Sequence, residues 1–236
     1  MKRLNGWNPG WRMSVFVAVM LPTVIALGFW QLDRAAEKRG YQARYFDNVG
    51  MLAVVPGDPV PEPAFQRVRL TGTYVPSQSF LVDNRVHEGV PGYWVVSRFD
   101  AEDGRTWLVN RGWVAAPATR ESLPAVSAPP GKVRIEGLLW PDMGLPPLLA
   151  QDPWADGWPK RVQRLNVARM AAYFDAAQAV EVRLESGQPG ALVAAGLGVE
   201  FTPERHVGYA VQWFALSVVL AIAFVVFGYR KRSRDD

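Results

Sequence analysis

Residues 13–32 read MSVFVAVMLPTVIALGFWQL, and near the other end of the chain residues 207–229 read VGYAVQWFALSVVLAIAFVVFGY. Neither stretch holds a charged residue. About 20 helical residues, rising about 1.5 Å each, cross the hydrocarbon core of a bilayer, so both are read as transmembrane helices. The expected fold is a membrane α+β architecture, with two transmembrane helices at the termini flanking a strand-rich domain. The chain divides accordingly into an N-terminal tail (1–12), a first span (13–32), a central domain (33–206), a second span (207–229) and a C-terminal tail (230–236). Spans placed this way put the end of the first and the start of the second on one membrane face. A single histidine, His206, stands at that threshold.

Charge sets the orientation. The formal net charge is +4, but Lys2, Arg3 and Arg12 lie in the first tail, and Arg230, Lys231, Arg232 and Arg234 outweigh Asp235 and Asp236 in the second. The residues between the tails have a slight acidic excess, which excludes a basic surface for tracking nucleic-acid phosphates. Arg205 is the one basic residue in the twenty before the second span, against four directly after it. By the positive-inside rule both tails are cytoplasmic, and a long domain is translocated whatever its charge. The central domain is therefore expected in the periplasm. Only twelve residues precede the first span, too few for a typical mitochondrial presequence, which indicates a bacterial cell inner membrane. Ala26, Leu27 and Gly28 resemble a signal cleavage site, but the apolar run exceeds a signal h-region, and the reading is an uncleaved anchor. The sequence has no cysteine, which removes disulfides, thiolate metal sites and cysteine catalysis.

Beyond the first span, GFWQLDRAAEKRGYQARYFDNV (28–49) is rich in helix formers, and no proline intervenes until Pro56. The helix should emerge as a polar stalk with Gln31, Arg34 and Lys38 on one stripe. After a proline-rich linker, strands are expected at QRVRLTGTYV (66–75), SFLVDN (79–84), GYWVVSRF (92–99), RTWLVNRGWV (105–114), KVRIEGLLW (132–140) and VEVRLES (180–186). They should form an antiparallel sheet or a barrel-like one. Helical spacing of Val167, Met170, Ala171 and Phe174 predicts a helix near 167–178. Gly72 reads as a bulge or close approach. The long loop at 141–160 offers Trp154 and Trp158 to a membrane surface, to a partner, or back to its own domain.

No HExxH, Walker A, GxSxG or GxGxxG element is present, so the usual hydrolase and nucleotide sites have no support and no enzyme is indicated. Asp142, Asp152 and Asp156 have irregular spacing and make a poor cation cage. His87, in DNRVHEGVPG, reads as a solvated turn residue. His206 differs because an ionisable group at a span edge is a functional candidate. Its face continues through Ala210, Trp213, Phe214 and Ser217. An imidazole, a small residue and two aromatic rings suit a flat apolar macrocycle carrying iron. They also suit an interfacial histidine beside Tyr209 in an aromatic belt.

Three motifs together carry a resemblance: GFWQLDRAAEK (28–38), GYWVV (92–96) with WLVNRGWV (107–114), and RHVGYAVQWFAL (205–216). The combination resembles the surfeit locus protein 1 family of cytochrome c oxidase assembly factors, over nearly the whole chain. That resemblance implies a non-enzymatic assembly factor, or chaperone, for a haem-copper oxidase of the respiratory chain. It would carry haem a and assist its insertion into subunit one. It further implies His206 as axial ligand to the haem iron, with Tyr209, Ala210 and Trp213 in the matching segment of the second span and Trp30, Gln31 and Arg34 in that of the first. Arg34 would face a haem propionate or a lipid phosphate. The partners implied are cytochrome c oxidase subunit one, haem a synthase and membrane lipid, with no nucleic acid. Asn110, Arg111, Gly112 and Trp113 also match, and their chemistry reads as structural. A cofactor-free scaffold holding an oxidase intermediate is the alternative.

Overall fold

The computed structural model describes residues 7–235, apart from 63, 120–121, 146–151, 175–176 and 195–200. It separates into two compact units, Met1–Gln42 with Gly198–Asp236, and Ala43–Leu197.

The first unit is built on helices α1 (Trp11–Val49) and α3 (Pro203–Asp235). Helix α1 runs unbroken to Val49, as its run of Ala, Glu, Lys and Arg predicts, and its last turns belong to the second unit. Helix α3 opens with Pro203, whose missing N–H is no loss in a first turn, and Glu204 complements the positive end of the helix. Both helices exceed the apolar spans read from the sequence, because polar flanks continue the same hydrogen-bonded ladder. The most apolar windows of α1 and α3 are only 17% and 11% buried. A core helix of a water-soluble protein would be enclosed. Here Val15, Phe16 and Val19 on α1, and Val218, Val219 and Ile222 on α3, are exposed. Both are long and apolar enough to cross a membrane.

The second unit is a mixed six-stranded sheet of β1 (Arg67–His87), β2 (Val90–Ala101), β3 (Thr106–Ala115), β4 (Val133–Trp140), β5 (Lys160–Val162) and β6 (Ala177–Leu184), with the short helix α2 (Val167–Ala171). Its order is β2-β3-β6-β4-β1-β5, and β1 also pairs with β2. The long strand β1 makes this possible, pairing with β4 through 67–72 and with β2 through 72–87. Two expected strands, 66–75 and 79–84, are thus one. Pro76 cannot donate to the ladder, and the register with β2 shifts between Val75 and Ser79 without ending the strand.

The sheet is mixed, correcting the expectation of an antiparallel one. β3 pairs in parallel with β6, and β1 with β5. Period-2 alternation is the same in both kinds of ladder, so the sequence pattern is silent on direction. The parallel pairing is allowed because β4, β5 and α2 provide the long connection from β3 to β6 that it needs. The expected helix at 167–178 is likewise shorter. It stops at Ala171, and Ala177 and Gln178 already open β6.

Both faces of β3 are enclosed. Trp107 and Val109 join Val68, Leu70, Phe99, Ile135, Leu139 and Val182 on one side, while Leu108 joins Phe80, Val82, Val96, Met170 and Phe174 on the other. Trp154 and Trp158 pack against this second cluster, each on Phe80 and Tyr173. Of the three destinations open to them, the structure has them on their own domain. Residues 146–151 of their loop lie outside the described residues. Asp152 accepts from the Trp154 Nε1–H and the Gln163 N–H. His87 ends β1 with its ring 5.2 Å from that of Trp113, so it is half-buried rather than a solvated turn residue. The turn is Glu88–Gly89, both at positive φ, as a two-residue hairpin requires.

The Asn-Arg-Gly-Trp stretch is structural, as its residue types suggest. Asn110 donates to Glu181 Oε1 at 2.7 Å and accepts from the Gly112 N–H. The Arg111 guanidinium is buried and donates to the carbonyls of Gly190 and Ser127, beside the Tyr74 ring. Burial holds its pKa below the ordinary arginine value and raises that of the Tyr74 phenol. Gly112 has φ 112°, and a Cβ there would overlap the Val193 carbonyl. Gly72 is a close approach to the backbone at Asp100. We expect Gly112→Ala to lower stability by about 2–3 kcal/mol, from the disfavoured backbone conformation and the backbone clash. Denaturant unfolding of the full chain in detergent, followed by tryptophan fluorescence, measures this. An unchanged midpoint would contradict it.

Candidate functional site

The helical unit brings His206 to Gln31. His206 Nδ1 lies 2.7 Å from Gln31 Oε1, in partly buried surroundings. A carboxamide oxygen can only accept, so in the neutral ring Nδ1 carries the proton and Nε2 keeps its lone pair. Among the described residues Nε2 has no hydrogen-bond partner.

The packing that creates this meeting follows a seven-residue rhythm. On α1, enclosed or half-enclosed positions recur at Ser14, Val17, Leu21, Val24, Gly28, Gln31, Ala35 and Lys38. On α3 they recur at Pro203, Val207, Ala210, Phe214, Ser217, Ala221, Phe224 and Gly228. Alternating steps of three and four residues mark the seam of two helices packed side by side. Gly28 is a tight point of the seam, for a Cβ there would lie 2.6 Å from a ring carbon of Phe214. Phe214 also meets Phe29 edge-on at 5.3 Å. At the other end Trp7 donates from Nε1 to the Val225 carbonyl and packs edge-on against Phe224, while the Asn8 N–H donates to the Gly228 carbonyl. The helices therefore run antiparallel.

The remaining residues singled out in the sequence fall around this pair in different ways. Trp213 is half-buried, next to Phe214 on the flank of the seam. Trp30 and Tyr209 are about half exposed. Ala210 is 1% exposed, so it serves the helix seam and leaves no open room there. The Arg34 guanidinium donates to Glu37 Oε2 at 2.5 Å on its own helix, an exposed pair of small energetic weight. Sequence reasoning missed Gly28, reading it as part of a cleavage-like triplet. Its signal is the spacing from Val24 to Gln31.

No group of three or more His, Cys, Asp or Glu suited to a metal ion occurs among the described residues. A bare cation lacks a cage there. An iron already held in a macrocycle would need one further donor, and the Nε2 lone pair of the neutral His206 ring would supply it. The donor set at His206, with the exposed rings of Trp30 and Tyr209, fits such a group.

A profile of the SURF1 family matches residues 18–218. The chain belongs to the SURF1 family. The match contains Gly28, Gln31, His206 and Phe214, and so includes the meeting of His206 with Gln31. An uncharacterised SURF1-like protein of Mycobacterium tuberculosis is 28% identical over 241 residues, covering 97% of this chain and 88% of its own. A SURF1-like protein of Rickettsia felis is 23% identical over 233 residues, with 92% and 96% covered. One from Monosiga brevicollis is 26% identical over 222 residues, with 87% and 83% covered.

The absence of cysteine makes the helix contact directly testable. A Gln31→Cys/His206→Cys double variant in native membranes should be joined by a short bismaleimide into a species of altered gel mobility. Gln31→Cys paired with Val211→Cys, whose position faces outward, should react far less. Equal cross-linking of the two pairs would refute the helix register.

Proposed function

We propose that this SURF1-family protein is a membrane-anchored assembly factor for cytochrome c oxidase that holds haem a through His206 and assists its insertion into subunit one. Family membership suggests the role in oxidase assembly. The observation that carries the haem assignment is the His206 imidazole with Nδ1 engaged by Gln31 and Nε2 free to bind.

The chemistry of the cargo fits a site on two exposed apolar helices. Haem a is a flat, largely apolar macrocycle with an isoprenoid tail, and when bound it would supply an iron that takes a nitrogen donor. A holder needs one exchangeable donor, apolar walls and contact with lipid. His206 is the donor, and Trp30, Tyr209 and Trp213 offer aromatic surface. Release requires the bond to break, which a single histidine at a helix edge permits more easily than an enclosed pocket. In this reading both tails are cytoplasmic, the sheet domain is periplasmic in a bacterial inner membrane, and haem a synthase is the donor-side partner. The activity is that of a carrier, not a catalyst.

A second reading is favoured by one observation in the sheet unit. Phe46, Met51, Leu52, Val54 and Val55 are all exposed, a run of apolar side chains suited to protein contact. On that reading the chain is a cofactor-free scaffold for an oxidase intermediate.

An optical spectrum separates the two. Protein purified from cells that make haem a should show haem absorbance, and His206→Ala should lose at least about 90% of it, as expected when a metal's only protein ligand is removed. Haem-free wild type, or a variant with unchanged haem content and spectrum, would refute the carrier reading. Separately, a reporter fused after Asp236 should behave as cytoplasmic, and periplasmic activity would contradict the proposed orientation.

A further inference from the structure

We propose that Gln31 is a positioning residue that sets the tautomer of His206 and, being a neutral amide, keeps its bond to the cargo iron exchangeable. This rests on the haem-carrier reading and extends it from the ligand to its control.

The argument begins with the acceptor. Gln31 Oε1 faces His206 Nδ1 at 2.7 Å, and this oxygen has no proton to give. The neutral ring must then present Nδ1–H to Gln31 and leave Nε2 bare. A neutral imidazole in water prefers the opposite tautomer, with Nε2 protonated and closed to metal. Gln31 therefore does for Nε2 what second-shell carboxylates and carbonyls do for metal-bound histidines generally.

The identity of the acceptor matters as much as its place. A carboxylate at residue 31 would draw the Nδ1 proton strongly, make Nε2 a better donor and hold the iron tightly. A carboxamide orients the ring with a weaker pull. For a protein that passes its cargo on, orientation without tight retention is the useful combination. The helix seam puts the amide there. Gly28, one turn away, admits the Phe214 ring and lets α3 come close, and Gln31 is the next seam position. Arg34, a turn further on, is held by Glu37.

The test uses the full chain in nanodiscs with ¹⁵N-labelled histidine. With two histidines in the sequence, His206→Ala assigns the ring signals. In haem-free protein near pH 8, His206 should show the Nδ1–H tautomer, and Gln31→Leu should shift it to Nε2–H. In haem-loaded protein, Gln31→Leu should weaken binding by about 10–100-fold, the usual effect of losing such a partner. Gln31→Glu should slow haem transfer to apomyoglobin by about tenfold and lower the haem reduction potential. An Nε2–H signal in wild type, or a Gln31→Leu variant with unchanged tautomer and affinity, overturns the proposal. So does a Gln31→Glu variant that releases haem as fast as wild type. If no variant binds haem while the Nδ1–H signal depends on Gln31, the positioning role stands and the carrier reading fails.

Discussion

A ring carbon of Phe214 lies 2.6 Å from where a Cβ at residue 28 would stand, and the closeness of the paired helices rests on that position being glycine. A Cβ there would force the Phe214 ring to shift, and with it the seat of α3 on α1. The displacement would fall on a single 2.7 Å hydrogen bond one turn along, between Gln31 and His206. Hydrogen bonds weaken steeply with length and angle, so close packing at one residue governs ring orientation at another. Apolar attraction contributes little to such a contact where lipid is the alternative environment. What remains is close approach through small residues and a few polar contacts, and here Gly28, Ala210, Ser217 and Gly228 provide the first while Gln31, His206 and Trp7 provide the second.

This explains what the sequence could and could not disclose. The two spans were legible because polarity changes abruptly at their ends. So was the continuation of α1 to Val49, since Ala, Glu, Lys and Arg follow without a breaker. The seam was not, because outward-facing and helix-facing residues are both apolar, and hydrophobic periodicity has no contrast to report. It is written in size, and size marks Gly28 only once a partner is known. In the sheet unit the strand positions were legible and their directions were not. Alternation fixes which face a residue takes, whereas the parallel placement of β6 beside β3 is decided by the long connection between them.

The candidate site shows the same division. His206 stood out as an ionisable residue at a span edge, and Gln31 was placed on a stripe with Arg34 and Lys38. Their mutual contact required the register of two helices about 175 residues apart in the chain. Arg34, equally conspicuous in sequence, is engaged by Glu37 on its own helix. Trp154 and Trp158, which in the sequence could serve a membrane surface, a partner or their own domain, cover Phe80 beside α2.

The ladders of the sheet unit run from β1 to β2, β3, β6 and β4 and return to β1. Each of these five strands is therefore hydrogen-bonded on both sides over part of its length. On the assembly reading proposed above, the domain meets extended, unpaired segments of other chains, and a free sheet edge would capture them indiscriminately. With those edges already taken, strand addition is closed as a route of recognition along these ladders. Along these five strands a partner must be chosen through side chains, which is the more selective way to choose.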